Sequence, residues 1–494
     1  MKPWPKHPVV HELFTWVWLT DLEKRYGRPL TLGDLPAEVW DDVARPGIDA
    51  VWLMGVWERS PVGTKIARGN SAMRAAHEAA LPGYSDADVV GSAYCVRDYL
   101  VDRRFGGEQG LALARHELAK RGVRLVLDLV PNHTAPDHRW TGEHPEFYIQ
   151  GTEEDLERDP SAFLRVGKRV LACGRDPYFP AWPEVVQLDA SHVGLRAAMI
   201  DLVASIAQRC DGVRCDMAML VLDDVFARTW GDRASGGPSP DRGRGFWPTI
   251  IDTIKARRPD FVFWAEAYWD LESALVAQGF DACYDKLLYD RLVRHEPVEW
   301  LRAHLRADLD YQNHTLRFVE NHDEPRAASV ASPAAHRAML TAVMTLPGVA
   351  LLHEGEAEGR RVRVPVTLGR RPHETPDLAL HAFVGRLLGV LGEGLRRGEW
   401  ALAHIDGWPD NHSADRLLAW TWTAPDLRYL VVVNVTDMRA DGRVQLPWTD
   451  LGGRSIALVD RISGLTYPRD GDELIARGLY VALEGQGIHV LRVT

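Results

Sequence analysis

Arg214 and Asp216 stand at the end of a short apolar strand within the stretch DGVRCDMAM (211–219), which follows a long helical pattern. In a strand, residues two apart point to the same face about 7 Å from each other. The spacing therefore predicts an ionised carboxylate beside a permanent cation, with Val213 and Cys215 packed behind. Such a pair at a strand end is commonly a structural ion pair and no more. Three further stretches, LVLDLVPNHT (125–134), FVFWAEAYW (261–269) and LRFVENHDEP (316–325), repeat the design: a run of Leu, Val or Phe that stops at polar residues. Four runs of one design suggest strands converging on one site.

Positioning those strand ends is the task of the rest of the chain. VVHELFTWVWL from residue 9 reads as a first strand and its loop, residues 34–45 as a helix, and IDAVWLMGVWERS (48–60) as a second strand. Residues 61–91, polar with several glycines, are expected to be a loop over the site. Leu111, Ala114 and Leu118 mark a helix ended by Gly122, and a third strand starts at Arg124. Strand, helix and strand with short links form a parallel βαβ unit. Residues 136–187 are polar, proline-rich and without periodicity, which suggests an inserted subdomain.

The rhythm resumes with Leu195, Ala198, Met199, Leu202, Val203 and Ile206 at helical spacing. A helix near Pro248, a sixth strand over 279–285, a seventh over 315–320, a helix over 334–345 and an eighth strand over 348–353 complete the series. Eight strands alternating with helices fit an α/β fold of the (β/α)8 barrel type, whose active sites lie at the strand carboxyl ends. The barrel would comprise residues 1–135 and 188–398. LLAWTWTA, RYLVVVNVT, SIALVDRI and GIHVLRVT, with turns expected at Asp441-Gly442 and Asp470-Gly471, read as a C-terminal antiparallel β-sandwich over 399–494.

Composition narrows the function. The chain has 494 residues, 46% hydrophobic and 26% charged, and a formal charge of -11 that argues against a nucleic-acid partner. No apolar run is long enough for a membrane span, and the start lacks the apolar core of a signal peptide. Five scattered cysteines without metal-type spacing read as free thiols of a reducing, cytoplasmic setting. Cys215 is expected to be buried on the face away from Asp216. Eighteen tryptophans, several in turn-like stretches, suit the flat faces of sugar rings.

DLVPNH (128–133), GVRCD (212–216), the Glu266 strand and ENHDE (320–324) are together similar to four signatures of the α-amylase superfamily, glycoside hydrolase family 13, in order and at fitting spacing. The resemblance covers nearly the whole chain. It implies that Asp216 is the nucleophile, Glu266 the acid and base, and Asp323 the third carboxylate that stabilises the transition state. It also implies that Arg214 keeps Asp216 ionised while burial raises Glu266, that His133 and His322 bind hydroxyls, and that Tyr94 stacks on the sugar at the cleavage point. The substrate implied is a maltooligosaccharide or α-glucan, cleaved with retention through a covalent intermediate. If His322 and Asp323 both reach the site, the seventh strand must end before them. Asp128 and Asn132 are expected to order the barrel end, and His353, Glu354, Glu356 and Glu358 to form a solvated acidic loop.

The chain departs from the family pattern. Met219 and Leu220 stand where many amylases have a Lys-His pair on the leaving-group side, and Gln187 where a calcium-binding carboxylate often stands. With no DxNxDG-like loop after the first strand, these departures argue against calcium, and no cofactor or metal ligand is expected. GSAY (91–94) lacks the aspartate found three residues before the stacking tyrosine in many exo-acting α-glucosidases. The arginine-rich segment 353–374 has no role that pattern alone assigns. Two alternatives stay open: a transglycosylase or sugar isomerase of the same superfamily, and a catalytically silent barrel that binds a sugar or a partner.

Overall fold

The computed structural model describes residues 3–235 and 245–494. Eight parallel strands close into a barrel: β1 (Val9–Phe14), β2 (Ala50–Met54), β3 (Arg124–Leu129), β4 (Gly212–Cys215), β5 (Val262–Ala265), β6 (Ala282–Tyr284), β7 (Thr315–Arg317) and β8 (Val349–His353). Register closes the ring, with Val10 beside Ala50 on one side of β1 and Val9 beside Ala350 on the other. The period of two sorts the side chains. Val10, Trp52, Val126, Trp264, Tyr284 and Leu316 pack within the barrel, whereas Val213 and Cys215 join the larger core between strands and helices.

Several expectations change in the folded chain. Thr15–Tyr26 is a helix that begins directly after β1, where a loop was expected, because Val17, Trp18, Leu19 and Leu22 bury one face of it. Residues 61–91 are largely helical, over Pro61–Gly69 and Ser71–Ala80. Ser60 caps the first by accepting from the Gly63 amide at 2.8 Å, with Pro61 in its first turn, and Asn70 caps the second from the Met73 amide at 3.0 Å. These caps are legible as residue types, and the helices bury little: Gly63 and Ala67 in the first, His77 and Ala80 in the second. Thr315–Arg317 ends before His322 and Asp323, so these two neighbours are free of the alternation that would point them to opposite faces of a strand.

The chain after β3 leaves the barrel as a small antiparallel sheet, in which His133 pairs with Gln187 and Thr134 with Val186. The C-terminal region stacks a six-stranded sheet on a three-stranded one. Asp441 and Gly442 lie inside the strand Ala440–Val444, and Asp470 caps the helix Gly471–Arg477, so neither pair makes the expected turn. Gly442 is required there by close packing: a Cβ would meet Ile405 Cγ2 at 2.8 Å. Trp422 ties this domain to the barrel by donating to Thr345 O at 2.7 Å. No helix among the described residues is long and apolar enough to cross a membrane.

Candidate active site

Arg214 is fully buried on β4, in register with Asp128 on β3 and Trp264 on β5. Its Nη1 donates to Asp216 Oδ1 at 2.8 Å, its Nη2 lies 2.8 Å from Glu266 Oε2, and its Nε donates to the Tyr284 hydroxyl at 3.2 Å. The guanidinium also sits 5.2 Å from the ring centres of Trp52 and Tyr94. One cation thus spans two carboxylates. Cys215 and Ala265 are register partners, so Asp216 and Glu266 are the next residues along two adjacent strands, which lie about 4.8 Å apart.

Local backbone fixes both groups. The Asp216 amide donates to Leu129 O at 2.8 Å and the Glu266 amide to Cys215 O at 3.0 Å, continuing the ladders past the strand ends. Met217 then adopts φ 43°, a left-handed conformation that a side chain disfavours, and aims its amide at Glu266 Oε2, 2.6 Å away. Tyr268 donates to the other oxygen, Oε1, at 2.9 Å.

Asp323 approaches from the loop after β7. Its Oδ2 is 2.9 Å from His322 Nε2, and His322 Nδ1 is 2.5 Å from Glu12 Oε1 on β1. The Tyr94 hydroxyl lies 2.7 Å from His322 Nε2, with the two rings stacked 5.4 Å apart. A cleft of about 280 Å³ brings Asp216, Glu266 and Asp323 together with Tyr94, His133 and Trp182. Of the seven residues implied by sequence, Arg214 and His322 lie beneath the cleft floor, holding carboxylates, and the other five line it.

The electrostatics differ from the sequence expectation in one respect. Burial raises Asp216 as well as Glu266, to about 6 and about 7, and the pull of Arg214 on each only limits the rise. For Asp216 burial outweighs the pull of Arg214, so its carboxyl sits above the ordinary range. Burial opposes charge on His322, yet Asp323 and Glu12 raise it to about 10. Burial would likewise raise Asp323, but the His322 imidazolium holds it at about 2. His133 is lowered by burial to about 4 and is a neutral imidazole near pH 7.

Asp128 accepts from Trp52 Nε1 at 3.1 Å and from the Gly55 amide at 2.7 Å, ordering the β2 end. Asn132 pairs with Gln187, whose Nε2 donates to Asn132 O and Asn132 Oδ1, both at 2.9 Å, and to Leu188 O at 3.0 Å. A primary amide thereby occupies the oxygens a calcium ion would need, so this donor set does not fit the metal. No group of three or more His, Cys, Asp or Glu among the described residues could hold one.

The segment expected to be a solvated acidic loop is largely buried. His353 is paired with Arg326, Glu356 accepts from the His353 amide at 3.1 Å and faces His336 at 3.5 Å, and Glu354 pairs with Arg371. The arginine-rich segment is a strap across the barrel mouth: Arg360 and Arg371 pair with Asp21, Arg370 with Asp88, and Arg363 donates to Asp323 O at 2.6 Å. Most of the turn-like tryptophans, including Trp57, Trp140, Trp230 and Trp247, are core residues; Trp182 lines the cleft. Sequence reasoning passed over Glu12, Tyr268, Tyr284 and Glu184. Only Glu12, a carboxylate within an apolar strand, carried a signal of the kind that marked Asp128.

A sequence model described as "Alpha amylase, catalytic domain" matches residues 40–276, which include Asp216 and Glu266 in this geometry. Over those residues the chain carries the pattern of the α-amylase catalytic domain. Among the proteins it is similar to, the alpha-amylase MalA of Haloarcula japonica is 26% identical over 328 residues, covering 64% of this chain and 43% of that protein. Alpha-amylase 3 of Dictyoglomus thermophilum is 21% identical over 58% of this chain and 57% of its own length. The chain thus spans about half the length of the relatives it matches by sequence. Its fold is shared with the α-amylase of Geobacillus thermoleovorans in complex with acarbose, at a TM-score of 0.68 and 16% identity over 100% of this chain and 99% of that one.

Proposed function

We propose that this chain is a retaining glycoside hydrolase that cleaves α-glucosidic bonds, α-1,4 foremost, in maltooligosaccharides or α-glucans. The observation that carries the reading is the bridging of Asp216 and Glu266 by one guanidinium on adjacent strands. Such closeness favours the pairing of about 5–5.5 Å used by retaining enzymes over the wider one that leaves room for a water. Asp216 attacks the anomeric carbon, and Glu266, raised by burial and by Asp216, protonates the departing oxygen. Once Asp216 is esterified its charge is gone. Arg214 then favours the Glu266 carboxylate, which activates the water that releases the sugar.

Asp323, kept ionised by His322, accepts hydroxyls of the same sugar and stabilises its positive charge in the transition state. Tyr94 and Trp182 offer ring faces and His133 a neutral hydrogen-bonding edge. The site works without a cofactor or calcium, because Gln187 supplies in place the link a metal would make. Five buried free thiols suit a reducing compartment, and we assign the protein to the cytoplasm.

A product time course on maltose, maltotriose, maltoheptaose and soluble starch tests this. Shorter products with rising reducing ends are expected. Longer products, or isomers at constant reducing power, would turn the assignment to transfer, and no change on any substrate would overturn it.

A further inference from the structure

Asp216, Glu266, Asp323 and Glu184 all line the cleft, and the protein serves the first three. Asp216 takes Arg214; Glu266 takes Arg214, the Met217 amide and the Tyr268 hydroxyl; Asp323 takes His322. Glu184 is the exception. It stands on the strand Trp182–Gln187 of the inserted sheet, two residues from Trp182, which lines the same cleft. Its Oε2 is closed off from bulk water without a hydrogen-bond partner. Burial raises its carboxyl, and only its own amide pulls the other way: among the described residues no cation acts on it.

The surroundings explain this. Cys95, Ala135, Val185 and Trp182 form an apolar cluster at this wall, and Cys95 Sγ donates to the main-chain Glu184 O at 3.0 Å, leaving the carboxyl unserved. Among the described residues lining the cleft there is no lysine or arginine, and His133 is neutral. A charge withdrawn from water regains little without a partner, so a carboxylate in such a place weakens the fold that carries it. Buried polar groups are otherwise paired, and the few polar groups of a ligand cleft are those that orient what binds there. The partner of Glu184 is then a donor that arrives with the ligand.

We infer that Glu184 is a recognition residue, whose carboxylate accepts hydroxyl groups of the sugar held in the cleft. This rests on the glycosidase reading and adds a residue of specificity to it, on the inserted sheet and outside the catalytic trio. A hydroxyl that donates to a carboxylate makes a charge-assisted bond, roughly twice as strong as one between neutral groups.

The test is Glu184→Gln, which keeps the shape of the side chain and removes its charge. Binding of maltoheptaose is read by calorimetry in an Asp216→Asn background, where turnover does not consume the sugar, and stability by thermal unfolding without sugar. Kd is expected to rise about tenfold, while Tm holds or rises because an unpaired charge has gone. Affinity and stability then part company, the mark of a group kept for a ligand and not for the fold. A Tm that falls together with the affinity would make Glu184 a structural residue and overturn the inference. A Kd within about twofold of the Asp216→Asn parent would overturn it as well. If the unaltered protein fails to cleave maltoheptaose while Glu184→Gln still weakens its binding, the hydrolase reading falls and Glu184 stands as a sugar-recognition residue. A parent that binds no maltoheptaose would remove both.

Discussion

His322 and Glu12, 310 residues apart in sequence, face each other at 2.5 Å between Nδ1 and Oε1, tying the loop after β7 to β1 beneath the cleft. With Asp323 on the other ring nitrogen, the imidazolium is held between two carboxylates. His322 is raised in the folded chain, so the stability its proton contributes is complete below the unfolded histidine value and is lost as pH rises through about 10. Glu12→Gln removes one partner. The His322 ring should then titrate at lower pH by NMR, and alkaline unfolding should begin earlier; an unchanged titration would show that Asp323 alone sets it.

Asp216 and Glu266 titrate as a pair, both raised by burial, to about 6 and about 7. Below the lower value the nucleophile gains a proton, and above the upper value the acid has lost its own. A narrow bell in kcat/KM is expected, with its maximum between those limbs. A plateau reaching well into the alkaline range would contradict the assignment of Glu266 as the acid.

Glu266→Gln should lower kcat on maltooligosaccharides by about 10²- to 10⁴-fold, the usual contribution of a general acid. Fluoride departs without protonation. With α-glucosyl fluoride the same variant should therefore give a stoichiometric burst and a glucosyl adduct on the protein by mass spectrometry, because the base for deglycosylation is also missing. Absence of both would argue against a covalent intermediate.

Asp128→Ala leaves Trp52 Nε1 and the Gly55 amide buried without their acceptor. The loss should be about 2–6 kcal/mol, from an unmet cost of about 1–3 kcal/mol for each of the two donors, read by chemical denaturation. A stability within error of the unaltered protein would mean that the loop relaxes to find other partners.

Prolonged treatment with a chelator should change neither activity nor Tm, since Gln187 Nε2 already uses the oxygens of Asn132 and Leu188. Loss that calcium restores would place a metal elsewhere in the chain.

Much of the site was legible because barrel strands announce themselves as apolar runs and because polar residues at their carboxyl ends have one place to go. The period of two put Arg214 beside Asp216 and turned Cys215 away from both. Helices over 61–80 were not legible, since their stability comes from caps and from packing on Leu368, far along the chain. Segment 353–374 could not be read either: its charges are solvated or paired according to partners such as Asp21 and Asp88, which lie far from it in sequence.

By itself, then, the sequence determined the alternation of strands and helices, the order of the motifs and the residue types at each strand end, because these depend on local periodicity. Only the tertiary structure decided that one guanidinium serves both Asp216 and Glu266, that Glu12 and His322 meet, and that Gln187 donates to the oxygens of Asn132 and Leu188. Each of these is a contact between segments distant along the chain, and burial there sets both the partners and the proton affinities.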